Sequence, residues 1–170
     1  MMKNSTIGFQ IFLENIKILI CNPIISNGGT MKIKIKLIDG GKAPEFKTDG
    51  AVCADCYARC ETPIEIKPNE RKLIPLGFAV ELPKGYEMVI RPRSGMTKNG
   101  IDIGIGTIDY DYRGEVMACL INNFSKVISV ENETRICQLA IRQVPEIEFE
   151  IVDKLSETKR GAGGFGSTGK

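Results

Sequence analysis

Residues 31–38 read MKIKIKLI, with Ile33, Ile35 and Leu37 alternating with Lys32, Lys34 and Lys36. Period two places alternate side chains on opposite faces of an extended chain, so this stretch predicts a half-buried strand. The same reading predicts strands at 52–58, 62–67, 71–82, 86–91, 115–122, 127–130, 134–144 and 146–152. In the last of these, Ile147, Phe149 and Ile151 alternate with Glu146, Glu148 and Glu150. Pro63, Pro68, Pro75, Pro83 and Gly85 punctuate the series. After residue 30 no apolar stripe of helical period runs for ten residues, although 94–99 suits one helical turn. Many short, evenly spaced strands predict an all-β sandwich, jelly roll or barrel.

The chain has 170 residues, no histidine, no tryptophan and a formal net charge of +2. That length predicts one domain with a proper core. Without histidine there is no Ser-His-Asp or Cys-His pair and no imidazole base or metal ligand. Acid–base chemistry must fall to carboxylates, Lys, Tyr or Cys. Near-zero charge argues against a general nucleic-acid binder.

Residues 7–25 are too polar to span a membrane and lack the pattern of a signal peptide. Phe9, Phe12, Leu13, Ile16, Leu19 and Ile20 fall on a helical stripe. The segment 1–30 therefore reads as a loose N-terminal extension or a short amphipathic helix. The core is expected over 31–152, and a flexible arm over 153–170. Cys21, Cys53, Cys56, Cys60, Cys119 and Cys137 carry no secretory context. On a strand, Cys53 and Cys56 point to opposite faces and cannot converge on one ion. Free thiols and a cytoplasmic location are expected.

Ten of the 18 glycines lie in 95–114 and 161–169. RPRSGM at 91–96 places Arg91, Arg93 and Ser94 beside a glycine turn, a composition suited to phosphate oxygens. IDIGIGTIDYDYRGEV at 101–116 reads as a glycine-rich hairpin with Asp109 near Tyr112 and Arg113, a base beside a sugar platform. RGAGGFGSTGK at 160–170 has phosphate-loop composition, but no helix follows, so it is not a Walker A loop. Phe165 in so polar a tail would be exposed unless it stacks on something such as a base.

In order, DGAVCADCYA (49–58), RPRSGM (91–96), IGTIDYDYRGEV (105–116), RICQLAI (135–141) and RGAGGFGSTGK (160–170) resemble the five motifs of the trimeric dUTPase family, the deoxyuridine 5′-triphosphate nucleotidohydrolases. The resemblance covers about residues 31–170. It implies a jelly-roll-like distorted β-barrel, assembled as a homotrimer whose C-terminal arms close shared sites. It implies hydrolysis of dUTP to dUMP and pyrophosphate, which keeps uracil out of DNA and supplies dUMP for thymidylate synthesis. By similarity, Asp109 activates the water that attacks the α-phosphorus, and Tyr112 packs on the deoxyribose. Gly106, Thr107 and Ile108, with Met117 on the return strand, read the uracil. Arg93, Ser94 and Gly95 hold phosphates, with Gln138 in support. Arg135 pairs with Asp55, which approaches the water shell of a Mg²⁺ carried by the triphosphate. Arg160 meets the γ-phosphate, Phe165 stacks over the uracil, and Gly166, Ser167 and Thr168 cover the phosphates. No direct protein ligand to the metal, no nucleic acid and no membrane are implied.

Motif one departs from the more usual AGYDLYA, with Cys53 and Cys56 at its Gly-like and Leu-like positions. The alternatives are a dCTP deaminase of the same fold, a nucleotide-sensing regulatory protein on that fold, and a capsid-like structural jelly roll. The intact YRG and GGFGSTG stretches favour hydrolysis.

Overall fold

A computed structural model of the chain describes residues 30–164. The chain divides into two units, Met1–Lys34 and Ile35–Lys170. Of the first, only residues 30–34 are described. The helical stripe expected within 1–30 lies outside the described residues, as do Phe165, Gly166, Ser167 and Thr168.

The described residues are mostly β. The strands are β1 (Lys34–Leu37), β2 (Ala54–Tyr57), β3 (Ile64–Ile66), β4 (Arg71–Pro75), β5 (Phe78–Glu81), β6 (Tyr86–Arg91), β7 (Ile101–Gly104), β8 (Gly106–Ile108), β9 (Met117–Asn122), β10 (Ile128–Val130) and β11 (Arg135–Gln143). The helical turn expected at 94–99 is α1 (Ser94–Thr97). The strands form separate sheets rather than one closed barrel: β1-β5, β10-β3, β4-β9-β7 and β2-β11-β6-β8.

The alternating pattern decides what is buried. In β9, Ala118, Leu120 and Asn122 turn inward, while Met117, Cys119 and Ile121 keep contact with solvent. Phe78, Ile66, Ile74, Leu76, Met88, Ile90, Leu120 and Ile136 are the large side chains that fill the core. Each such burial is worth roughly 1.5–3 kcal/mol against exposure.

Four expectations are corrected. The predicted strand 71–82 is two strands, because Gly77 breaks it in the left-handed region at φ 73°. The glycine-rich stretch 101–116 is not one hairpin. There β7 pairs with β9, whereas β8 leaves to pair with β6 in another sheet. The predicted strand 146–152 is irregular, with Ile147, Phe149 and Ile151 69%, 88% and 99% exposed. A strand needs a neighbour to satisfy its backbone, and among the described residues none pairs with this segment. Finally, Ile35 and Leu37 are 41% and 50% exposed, so the apolar face of β1 is not buried by the protomer.

Asn122 is the one fully buried polar side chain among the described residues. Its Nδ2 donates to the carbonyls of Ile66 and Lys126, both at 2.8 Å. Its Oδ1 accepts from Phe124 N–H at 2.9 Å. One amide thus ties β3, β9 and the 123–127 turn together. Asn122→Ala should lower unfolding stability by about 3 kcal/mol, since buried partners are left unsatisfied. Urea unfolding at fixed protein concentration checks this, and a loss under about 0.5 kcal/mol would contradict it.

Candidate active site

Strand β11 lies between β2 and β6, and its register fixes one end of the candidate site. Gln138 stands opposite Asp55 of β2 on one side and Arg91 of β6 on the other. The chain leaving β6 turns at Pro92 and enters α1, so Arg93, Ser94 and Gly95 follow directly. Gln138 Nε2 donates to Pro92 O at 2.8 Å and holds that turn down. Asp55 Oδ1 accepts from Arg93 Nε at 3.2 Å, and Oδ2 accepts from Arg135 Nη1 at 3.0 Å. Arg93 Nη1 also donates to Arg135 O at 2.8 Å. Two guanidiniums around one carboxylate leave a net positive cluster, beside the exposed Ser94 and Gly95. That balance suits a polyphosphate.

The second group of residues follows β8. Gly106, Thr107 and Ile108 pair with Ile90, Val89 and Met88 of β6. β8 is the last strand of its sheet, so its other edge presents unpaired backbone donors and acceptors. Asp109 is exposed at the end of β8. No side chain or backbone group among the described residues engages its carboxylate. Tyr112 N–H donates to Asp109 O at 3.1 Å, and Tyr112 Oη donates to Glu115 O at 3.0 Å. The ring lies against Gly114, where a Cβ would fall 2.3 Å from Tyr112 Oη. Any larger residue at 114 would displace the tyrosine ring from this position. Met117, at the start of β9, is partly exposed in the other sheet.

The structure does not bring these two groups together within one protomer. β6 and β8 are antiparallel, with Ile90 opposite Gly106 and Met88 opposite Ile108. Arg91 therefore lies one residue beyond the Gly106 row, and Asp109 one beyond the Ile108 row at the other end. Four residue steps along the strand separate them, about 13 Å along the sheet. Arg160 lies in the arm, where its Nε donates to Gly163 O at 2.8 Å.

Among the described residues no cluster of His, Cys, Asp or Glu is arranged to hold a metal ion directly. Cys56 and Cys137 are buried opposite each other on β2 and β11. The adjacent Cys137 thiol, and then burial, push the Cys56 thiol far up, which makes it an inert packing group.

Sequence reasoning missed one feature. Arg59 forms a two-pronged ion pair with Glu115, Nε to Oε1 and Nη2 to Oε2, both at 2.9 Å. Gly77 N–H also donates to Glu115 Oε1 at 2.9 Å. The two partners are 56 residues apart, and no periodicity signals the pairing. The Arg59 fork, and then the Gly77 amide, hold the Glu115 carboxyl below the ordinary glutamate value of 4.5. A lowered folded-state value means that this group stabilises the fold above about pH 4.5. The contribution is lost as pH falls through the lowered value. The urea midpoint gap between wild type and Glu115→Gln should be full at pH 6–7 and shrink in acid. A gap constant down to pH 3 would contradict this.

Residues 39–169 match the family model described as dUTPase. The chain is 49% identical over 142 residues to the deoxyuridine 5′-triphosphate nucleotidohydrolase of Treponema denticola, covering 82% of this chain and 99% of that protein. It is 44% identical over 143 residues to that of Chlamydia pneumoniae, again covering 82% and 99%. Among solved structures, the Staphylococcus bacteriophage 80alpha dUTPase with dUpNHpp shares the fold at a TM-score of 0.76 and 23% identity, over 83% of this chain and all of that one. A mutant dUTPase of phage phi11 of S. aureus, described as coordinating a structural Mg(II) ion, matches at a TM-score of 0.69 and 18% identity, over 75% of this chain. With the mostly-β fold and the ordered motifs in place, these matches make the chain a member of the dUTPase family.

Proposed function

We propose that this protein hydrolyses dUTP to dUMP and pyrophosphate, in sites shared between the subunits of a homotrimer. The observation that carries this reading is the split described above. A positive cluster suited to phosphates and an exposed carboxylate beside a fixed aromatic ring lie at opposite ends of one sheet. Both fall within the stretch that matches the family. Neither end is a complete site, so a second copy must face its Asp109 end toward the arginine end of the first. Ile35 and Leu37 on β1, and Ile147, Phe149 and Ile151 beyond β11, offer apolar surface that assembly would cover. A cyclic trimer of jelly-roll-like subunits repeats such a contact and closes it.

In this reading the free edge of β8, at Gly106, Thr107 and Ile108, supplies fixed backbone donors and acceptors for the uracil, with Met117 beside it. Backbone groups held by a ladder do not rotate to suit another base, which gives selectivity at little entropic cost. Tyr112 packs on the deoxyribose face. Arg93, Ser94 and Gly95 bind phosphate oxygens, and Gln138 acts through Pro92 to hold their turn. Asp109 orients a water and takes its proton as the water attacks the α-phosphorus. Its carboxylate is free to do so because no cation among the described residues pairs with it. Arg160 is assigned to the γ-phosphate. Phe165, Gly166, Ser167 and Thr168 are assigned to cover the uracil and phosphates.

Mg²⁺ on the triphosphate would supply charge neutralisation. Asp55 already accepts from two guanidiniums, a donor set that fits contact with such an ion through its water shell rather than direct ligation. The free thiols are consistent with residence in the cytoplasm.

The test is a panel of dUTP, dCTP, dTTP and UTP with Mg²⁺, read for pyrophosphate and ammonia. Pyrophosphate from dUTP alone is expected. Ammonia from dCTP would move the assignment to a deaminase, and dUTP binding without turnover would favour a sensor. Asp109→Asn should bind dUTP but turn over about 10²–10⁴-fold more slowly. A wild-type rate in that variant would remove Asp109 from its role.

A further inference from the structure

Glu115 follows directly on the Tyr112-Arg113-Gly114 turn, yet its carboxylate is held by residues from distant parts of the chain. Arg59 grips it with both prongs of its guanidinium, and Gly77 N–H adds a third bond. Gly77 is itself immobilised. Its carbonyl accepts from Ile38 N–H at 2.9 Å. The backbone of Gly41 lies so close that a Cβ there would come within 1.9 Å of Gly77 O. The Arg59 stem also packs there, with Cδ 3.0 Å from where a Gly77 Cβ would stand. Glu115 is thus bolted to a rigid point of the fold.

From that residue, bonds through main-chain carbonyls lead into the Asp109–Tyr112 turn. Glu115 O accepts from Tyr112 Oη, and Tyr112 N–H reaches Asp109 O. Tyr112 is nearly half exposed, so packing alone does not fix its ring. Its orientation depends on its hydroxyl bond and on the glycine beneath it.

We propose that the Arg59–Glu115 pair is a positioning element that sets the deoxyribose specificity of the site, by holding the Tyr112 ring against the place a 2′-hydroxyl would occupy. The proposal rests on the dUTP hydrolase reading above. The physics is that of a wall. A pocket rejects one extra hydroxyl by sterics only when the wall cannot yield, and a supporting residue supplies that stiffness. Neither Arg59 nor Glu115 touches substrate. Glu115 is ionised at neutral pH, and the Arg59 fork, which lowers its pKa, extends the ionised pair into mild acid.

The test compares kcat/KM for dUTP and UTP in the full-length wild type, Arg59→Lys, Glu115→Gln and Tyr112→Phe. Arg59→Lys keeps the charge but cannot form the fork. Tyr112→Phe keeps the ring but loses the bond to Glu115. Each should cut the dUTP-to-UTP preference about tenfold or more, with UTP turnover retained or raised. Adding Glu115→Gln to Tyr112→Phe should change the preference little further, because both act through one ring. The exchanged pair Arg59→Glu with Glu115→Arg should recover part of the preference lost by either single change. A purely structural role would slow both substrates alike and leave the ratio intact. A ratio within twofold of wild type in Arg59→Lys and Tyr112→Phe would overturn the proposal, whatever happens to absolute rates. A wild type that fails to turn over dUTP would instead overturn the hydrolase reading on which it stands.

Discussion

Strand β11 is the constraint on which the rest of this molecule depends. It pairs along both edges, with β2 and with β6, and so aligns three distant stretches of chain in one row. Asp55, Gln138 and Arg91 share that row because of register alone. A slip of one residue would turn Gln138 to the other face and part Asp55 from its arginines. The irregularity between Arg135 and Cys137 has a comparable effect. It offsets the start of β11 so that Arg135 stands opposite Tyr57, within reach of the Asp55 carboxylate. The apolar side chains Ile136, Leu139 and Ala140 lock the register by burial.

The same ladder has a consequence for assembly. Because β6 and β8 run antiparallel, the phosphate-binding end and the Asp109 end point away from each other. The two groups of candidate residues are each exposed and each polar. In the shared-site arrangement proposed above, division of a site between copies ties activity to assembly. The apolar segment beyond β11, strand-like in sequence but without a neighbour, fits the same logic. In that arrangement, a neighbouring subunit would supply the pairing that its alternation calls for.

Much of this was legible in the sequence, and the failures have physical causes. Period-two alternation located most strands, since half-buried strands must alternate. It misread 146–152 and the burial of β1 because alternation reports that a face needs covering, not what covers it. It merged β4 and β5 because their apolar residues continue through Gly77, whose left-handed backbone is invisible to a hydrophobicity pattern. It took 101–116 as one hairpin because a strand that changes sheets has the same composition as one that folds back. At the candidate site, the ordered motifs pointed to Asp109, Tyr112, Arg93 and Gln138 as the residues to test, and they anticipated the contact of Arg135 with Asp55. The Arg59–Glu115 clamp was not legible. Its charges look like ordinary surface residues until the fold brings them together around Gly77.

The central claim is that water attacks the α-phosphorus of dUTP under the direction of Asp109. Turnover in ¹⁸O-labelled water tests it most directly. The account predicts the label in dUMP and none in pyrophosphate. Label in pyrophosphate would place the attack on the β-phosphorus and contradict the arrangement of water, carboxylate and sugar derived from the Asp109–Tyr112 turn.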